Sequence, residues 1–391
     1  MATVKAYDTA AGKRYRVRYR KPDGSQTDKR GFRTKRDAEL FLATTAVSKS
    51  RGEYIDPALG KATVGDLSAP WLEKKQTSLK PSAYTPLATS WRVHVAPAWE
   101  DRRISEIRPT EVEKWVTQLR KGTAPSRRKR SSYAGNKASP TTVLRALSVL
   151  AGILDDAVRD GRLHRNPARK LTNLPRKAPK ESRRYLTHQE VLALSTSAPD
   201  QTRRVLLAVL CFTGLRWGEA IALRVRDVNM LKKRFNVNRT ATEVEGRIHV
   251  TPPKNWEKRA VPFPTLLADA IARACEGKDR DDLLFGTGRE GFLPRPDTAN
   301  GRYSWFLTAL RTAGIDHLTL HDLRHTAASL AVSAGANVKV LQLMFGHKSA
   351  AMTLDIYADL FDDDLNAVAE KVNVQALKSN VGKMWAKALV A

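Results

Sequence analysis

Cysteine is nearly absent. Only Cys211 and Cys275 occur in 391 residues, and neither opens a paired spacing of the kind that holds zinc. A disulfide framework and a thiolate metal site are thereby excluded as organising principles, and a reducing compartment is expected. Long apolar runs are missing too. No stretch reaches the about 18 apolar residues of a membrane span, and the opening MATVKAYDTA has no apolar core of a secretion signal, so no membrane partner is expected and the cytoplasm is the expected location. Acid is the third scarcity. Against 68 Lys and Arg stand 40 Asp and Glu, a formal charge of +28 at pH 7. That surplus calls for a polyanion, and with membranes disfavoured the polyanion is nucleic acid. A hydrophobic fraction of 42% is enough for ordinary cores, and the length suits two or three domains.

What is present concentrates between Leu318 and Leu360. His321 and Arg324 are three apart, on one face of a helix. Gly346-His347 follows an apolar helical run (Val338, Val340, Leu341, Leu343, Met344), so His347 stands just past a helix end. Tyr357 lies in a further apolar-periodic segment with Met352, Leu354 and Ile356. One cation, two imidazoles and a phenol fit phosphoryl transfer to a tyrosine hydroxyl, a chemistry that needs neither metal nor cofactor. A single Tyr or His on an amphipathic helix is ordinarily structural. The joint pattern carries the inference, and it continues upstream in TGLRWGEA (Thr213–Ala220) and PPKNWEKRAVPF (Pro252–Phe263).

From about Arg184 to Asp362 these segments closely resemble the tyrosine recombinases, the family of phage integrases and chromosome-dimer resolving recombinases. The resemblance implies a catalytic set of Arg216 in GLRWGE, Lys254, His321 and Arg324 in HDLRH, His347 in GHKS, and Tyr357 as nucleophile. Lys258 is a neighbour that could serve in place of Lys254. Which histidine is the base stays open between His321 and His347. Glu219 reads either as the orienter of a basic partner or as a solvent-exposed helix acid. Gly218 stands where many relatives have serine, a lost hydroxyl that is expected to be tolerable.

Three domains with two linkers are expected. Residues 1–56 form a small basic unit, three strands and a helix. Tyr15, Val17 and Tyr19 alternate with Arg14, Arg16, Arg18 and Arg20, a strand with one apolar and one cationic face. Thr34 with Asp37 opens a helix through about Ser50, whose Ala38, Phe41, Leu42 and Thr45 would cover the tyrosine face. A β-ribbon with a cationic face fits the major groove, and the unit is similar to the arm-type DNA-binding domain of lambda-like integrases.

After the linker 57–62, residues 63–172 read as all-α. Helices start at Thr63, after Pro81, near Thr110 and at Thr141, an order resembling the family's core-site-binding domain. The run Arg127-Arg128-Lys129-Arg130 interrupts them and is expected to lie along phosphates without reading sequence. A basic linker, 173–183, leads to a mixed α+β, mainly helical domain at 184–391. There a very apolar helix at Val205–Phe212, strands near 235–240, 247–251 and 260–263, and helices near 266–275 and 297–312 are expected.

The resemblance further implies double-stranded DNA partners of core and arm type, a tetramer on DNA, a host DNA-bending protein and an excision directionality factor. It points to a phage or prophage integrase. A chromosome-dimer resolving recombinase and a non-catalytic DNA-binding protein on the same scaffold are the alternatives. The apolar periodicity beyond Tyr357, from Leu365 to Leu389, is expected to pack on a neighbouring protomer or on its own domain.

Overall fold

A computed structural model of the protein describes residues 2–22, 24–50, 54, 56, 59–127, 137–176, 184–252, 258–297, 304–357 and 364–378. The chain divides into two compact units, Met1–Pro179 and Lys180–Ala391.

The first unit opens with an antiparallel sheet, β1 (Thr3–Thr9), β2 (Gly12–Arg20) and β3 (Gln26–Phe32), with β2 in the middle. Helix α1 (Lys35–Ser50) covers it, and the Asp37 amide donates to Thr34 Oγ1 at 3.1 Å to start that helix. Period-two alternation decides the faces. Val17 and Tyr19 are buried with Ala38, packed by Tyr15, Phe32, Phe41 and Leu42. Tyr19 meets Phe41 edge-on at 5.9 Å. Arg18 and Arg20 are exposed on the other face, while Arg14 and Arg16 are half-buried, beside a bulge between Tyr15 and Val17.

The helical part follows: α2 (Val64–Ser78), α3 (Pro81–Ser90), a wide turn over Trp91–Val95, α4 (Ala96–Trp99), α5 (Pro109–Lys121) and α6 (Pro140–Arg159). Thr63 and Asp66 cap α2 reciprocally, at 2.8 and 3.1 Å, satisfying two otherwise orphan amides. Val143, Leu147, Leu150 and Leu154 fall on one face of α6 and reach Trp71, Trp99 and Trp115 in a single core. Gly152 lets Trp71 approach, since a Cβ there would lie 2.7 Å from the indole.

The second unit begins with α7 (His188–Thr196), capped by Thr187 and Glu190, and α8 (Gln201–Thr213), capped by Asp200. α8 is buried nearly all round, which its composition demands, and ends at Gly214 in the left-handed region, φ 64°. Next come α9 (Trp217–Ala220), β4 (Val228–Asn229), β5 (Arg234–Val237), β6 (Thr240–Val244), β7 (Arg247–Thr251) and β8 (Arg259–Pro262). β5 sits between β4 and β8, and β6 pairs with β7 as a separate hairpin.

The strand expected over 235–240 is thus two. Asn238 donates to Asp227 at 2.7 Å and Arg239 Nε to the Ala222 carbonyl at 2.7 Å, and these bonds take the chain out of the ladder. Helices α10 (Ala268–Cys275), α11 (Trp305–Thr312), α12 (Leu320–Ser333), α13 (Val338–Phe345), α14 (Ala350–Tyr357) and α15 (Asp364–Lys378) complete the unit. The helix expected from Asp297 is described only from Trp305, and Asp297 itself is not helical. Leu206, Leu207 and Leu210 of α8 pack with Leu323 of α12, Phe235, Phe263 and Phe306 in the main core. Among the described residues no helix is long and apolar enough to cross a membrane.

Candidate active site

Three segments remote in sequence meet where α8 ends. Arg216 caps the short helix α9. Its amide donates to Glu219 Oε2 at 2.9 Å and its Nη1 to Oε1 at 2.9 Å. Glu219 is only 2% exposed. Arg259, at the start of β8, grips the same carboxylate with both Nη atoms, at 3.0 and 2.8 Å, and sends Nε to the Met344 carbonyl at 2.9 Å. Burial alone would raise the Glu219 pKa. The Arg259 hydrogen bonds and charge, joined by the charge and amide of Arg216, outweigh it and hold the carboxyl at about 2. Of the two readings of Glu219, the structure selects the buried partner.

Arg324 is 3% exposed. Its Nη1 donates to the Gly214 carbonyl, and its Nη2 to the Phe345 carbonyl at 2.7 Å and to His347 Nε2 at 3.2 Å. Both carbonyls stand at helix C-termini, of α8 and α13, where the partial negative charge favours a cation. The guanidinium also lies 4.4 Å from the Phe345 ring centre. Gly214 is required twice. It adopts φ 64°, and a Cβ there would fall 2.2 Å from the Phe345 ring. Burial, and then the neighbouring Arg216 charge, lower the Arg324 pKa to about 9, which still leaves a cation at neutral pH.

His347 accepts from Arg324 at Nε2, because a guanidinium can only donate. The ring proton therefore sits on Nδ1 and is donated to Thr353 Oγ1 at 2.9 Å. Burial first, then the charges of Arg324, Arg216, Arg259 and His321, bring its pKa down to about 4, so the imidazole is neutral at pH 7. Tyr357 is 1% exposed, in a small core with Ala327, Ala328, Leu341 and Phe345. Its ring stacks on His347 at 6.3 Å and 14°. Its hydroxyl is 3.1 Å from His325 Nδ1, and the His325 ring meets the His321 ring edge-on at 4.9 Å. His321 is exposed and lines, with Arg216 and Arg324, a cleft of about 480 Å³.

Of the residues singled out in the sequence, Arg216, His321, Arg324, His347 and Tyr357 come together here. Lys254 lies outside the described residues; Lys258 is exposed and borders a different concavity. In the first unit Arg127 is exposed, ion-paired to Glu100 at 3.0 Å, with its amide on the Val93 carbonyl. Arg128, Lys129 and Arg130 lie outside the described residues.

Two neighbours escaped sequence reasoning. His325 is four residues beyond His321 in HDLRH, a spacing that repeats a helix face. Arg259 shares a strand face with buried Val261, and an inward charge on a strand needs a buried partner. The expectation for Gly218 is also sharpened: a Cβ there would lie 2.3 Å from the Ala241 carbonyl oxygen, so the missing atom is space for β6 rather than a hydroxyl.

Residues 184–364 match the Phage integrase family. Over 345 residues the chain is 27% identical to the integrase of Mycobacterium phage D29, spanning 83% of this chain and 84% of that protein. The Tn1549 transposon integrase in complex with a circular intermediate DNA shares the fold at a TM-score of 0.61 and 20% identity, over 79% of this chain and 99% of that one. A lambda integrase tetramer bound to a Holliday junction does so at 0.52 and 16%, over 88% and 96%.

Proposed function

We propose that this chain is a member of the phage integrase family of tyrosine recombinases and that it integrates and excises DNA at specific sites, with Tyr357 as the nucleophile. The observation that carries the assignment is the convergence of Arg216, His321 and Arg324 on one cleft, with Tyr357 stacked on the histidine that holds Arg324.

A phenol of pKa about 10 is ionised about one part in a thousand at pH 7, a cost of roughly 4 kcal/mol. The site must therefore take the proton during attack. The 3.1 Å contact of Tyr357 with His325 supports an imidazole as acceptor. His347, whose lone pair is already engaged by Arg324, acts instead by holding that guanidinium. Arg324 has five N–H groups, and three bonds anchor it to Gly214, Phe345 and His347, which leaves donors for a phosphate oxygen. Arg216, fixed by Glu219, takes another. Such prearranged donors are the usual main source of rate enhancement.

Attack by the Tyr357 oxygen on phosphorus expels the 5′-oxygen, which Lys254 protonates, and leaves a 3′-phosphotyrosine. One ester replaces another, so rejoining needs no outside energy source. With the phenol 1% exposed, α14 has to shift before its oxygen meets a phosphate.

Residues 1–56 would bind arm-type sites, 63–172 core sites, and four protomers would assemble on DNA with a host bending protein and a directionality factor. Helix α15 (Asp364–Lys378) would pack on a neighbouring protomer; residues 379–391, the rest of the apolar periodicity, lie outside the described residues. The sheet-and-helix module ahead of the helical part favours an integrase over a chromosome-dimer resolving enzyme. The intact arginine pair and tyrosine disfavour a non-catalytic scaffold.

A nicked core-site duplex that loses its 5′-hydroxyl strand on cleavage traps the covalent adduct. The wild-type chain should form it, and Tyr357→Phe should form none while binding DNA as before. An adduct with the phenylalanine variant overturns the assignment.

A further inference from the structure

A second concavity of about 600 Å³ lies in the C-terminal unit, bordered by Arg224, Arg226, Asn236, Arg239, Lys258 and Arg280. It shares no residue with the cleft of Arg216, His321 and Arg324. The register of β5 on β8 sets the face on which it opens. The pair Phe235–Val261 points into the core, and the pair Asn236–Ala260 points outward on the face where this concavity opens.

Its acids are already committed. Asp227, 3% exposed, accepts from the Arg224 amide at 3.0 Å, Arg224 Nε at 3.2 Å and Asn238 Nδ2 at 2.7 Å. Asp281 pairs with Arg226 at 2.6 Å and Arg224 at 3.6 Å. Arg239 is held differently. Its Nε is anchored on the Ala222 carbonyl, and its Nη2 is buried with no hydrogen-bond partner among the described residues. No carboxylate stands within ion-pair distance of it among the described residues. Burial, then the nearby Arg224 and Arg226 charges, lower its pKa. A buried guanidinium N–H without an acceptor, among like charges, is costly unless an anion completes it. Arg239 as a whole is half-buried and lines the concavity, and Lys258 and Arg280 are exposed at its margin, so an anion can enter beside it.

We propose that this concavity is a phosphate-binding site, with Arg239 as its buried donor and Arg280 and Lys258 at its margin, that receives a backbone phosphate of bound DNA away from the cleavage cleft. The oxyanion of a phosphodiester and that of free phosphate offer the same lone pairs, and two measurements tell them apart. The proposal needs only that the chain binds DNA, so it stands or falls separately from Tyr357 chemistry.

The first measurement is equilibrium binding of the full chain to an intact core-site duplex across a salt series. One lost phosphate contact should lower the slope of log affinity against log salt by about 0.9. Arg239→Gln and, as a variant at an exposed position that leaves the fold alone, Arg280→Gln should each show it, while adduct formation on the nicked duplex at saturating protein stays at the wild-type level. The second is the thermal midpoint of the DNA-free chain with added inorganic phosphate, against chloride of equal ionic strength. A phosphate-specific rise that disappears in Arg239→Gln, with the DNA slope unchanged, assigns the site to free phosphate. Unchanged slopes in both variants together with no Arg239-dependent response to phosphate overturn the proposal.

Discussion

Arg18 and Arg324 carry the same guanidinium, and the fold treats them in opposite ways. Arg18 stands on the outer face of β2, exposed, its strand neighbours Val17 and Tyr19 buried beneath it. No carboxylate pairs with Arg14, Arg16, Arg18 or Arg20 among the described residues. Arg324 is buried, held by two main-chain carbonyls and an imidazole, and packed over an aromatic ring. An exposed arginine on a strand can follow a phosphate as the backbone varies, and contributes charge. A buried and anchored one has spent its orienting entropy in folding, and contributes geometry. Charge alone therefore does not separate the open-face arginines of β2 from those of the cleft; anchoring does.

The largest test removes an anchor. Arg259→Met should destabilise the C-terminal unit by about 3–5 kcal/mol, because Glu219 is left as a buried carboxylate lacking its two-armed partner. Chemical denaturation reads the loss. A change below about 1 kcal/mol would mean that Glu219 and Arg216 are held without it. Arg324→Lys keeps the charge and loses the fork across Gly214 and Phe345. Cleavage of the nicked duplex should fall by about 10²–10³-fold, roughly 2.7–4 kcal/mol, whereas Arg18→Lys should leave arm-site affinity within about twofold. Similar behaviour of the two lysine variants would erase the distinction.

Acid provides a third contrast, since the anchored cluster holds a carboxylate and an imidazole whose pKa values are strongly lowered. Glu219 is held at about 2 against an ordinary 4.5. Its contribution, about 3 kcal/mol, is complete above 4.5 and is lost as pH falls through 4.5 toward 2. His347, at about 4 against 6.5, stays neutral in the fold while the unfolded chain takes up a proton, so it too makes stability fall on acidification, between 6.5 and 4. His347→Gln should flatten the stability profile in that upper window and leave the lower one. Unfolding midpoints across pH check this, and an unchanged slope between 6.5 and 4 would refute the assignment to His347. The smallest expected effect is at the open face. Arg18→Gln with Arg20→Gln should reduce the salt slope on arm-type DNA by up to about 1.8, at about 0.9 per phosphate, with cleavage of core duplexes untouched. A loss of cleavage there would mean that the strand does more than hold DNA.

Local order was legible from sequence wherever neighbours in the chain decide it. The caps at Thr63–Asp66 and Thr187–Glu190 follow from residue spacing alone. So do the two faces of β2 and the stop of α8 at Gly214. The spacing of His321, Arg324, His347 and Tyr357, with Arg216 added by the family resemblance, picked out five side chains that the fold brings together. The tertiary structure decided what holds them. Arg324 reaches carbonyls 110 and 21 residues away, and Arg259 crosses 40 residues to Glu219 and 85 to Met344. A main-chain carbonyl is present at every residue and so leaves no mark in a sequence; which one faces a guanidinium depends on how helix ends converge. The same holds for Gly218, whose missing side chain is explained only by the approach of β6, and for His325, which becomes notable only because α14 lays a phenol beside it. Periodicity and capping are short-range and written into neighbouring residues, whereas anchoring is a long-range matter of which surfaces pack, fixed when α8, α12, α13 and β8 close on one another.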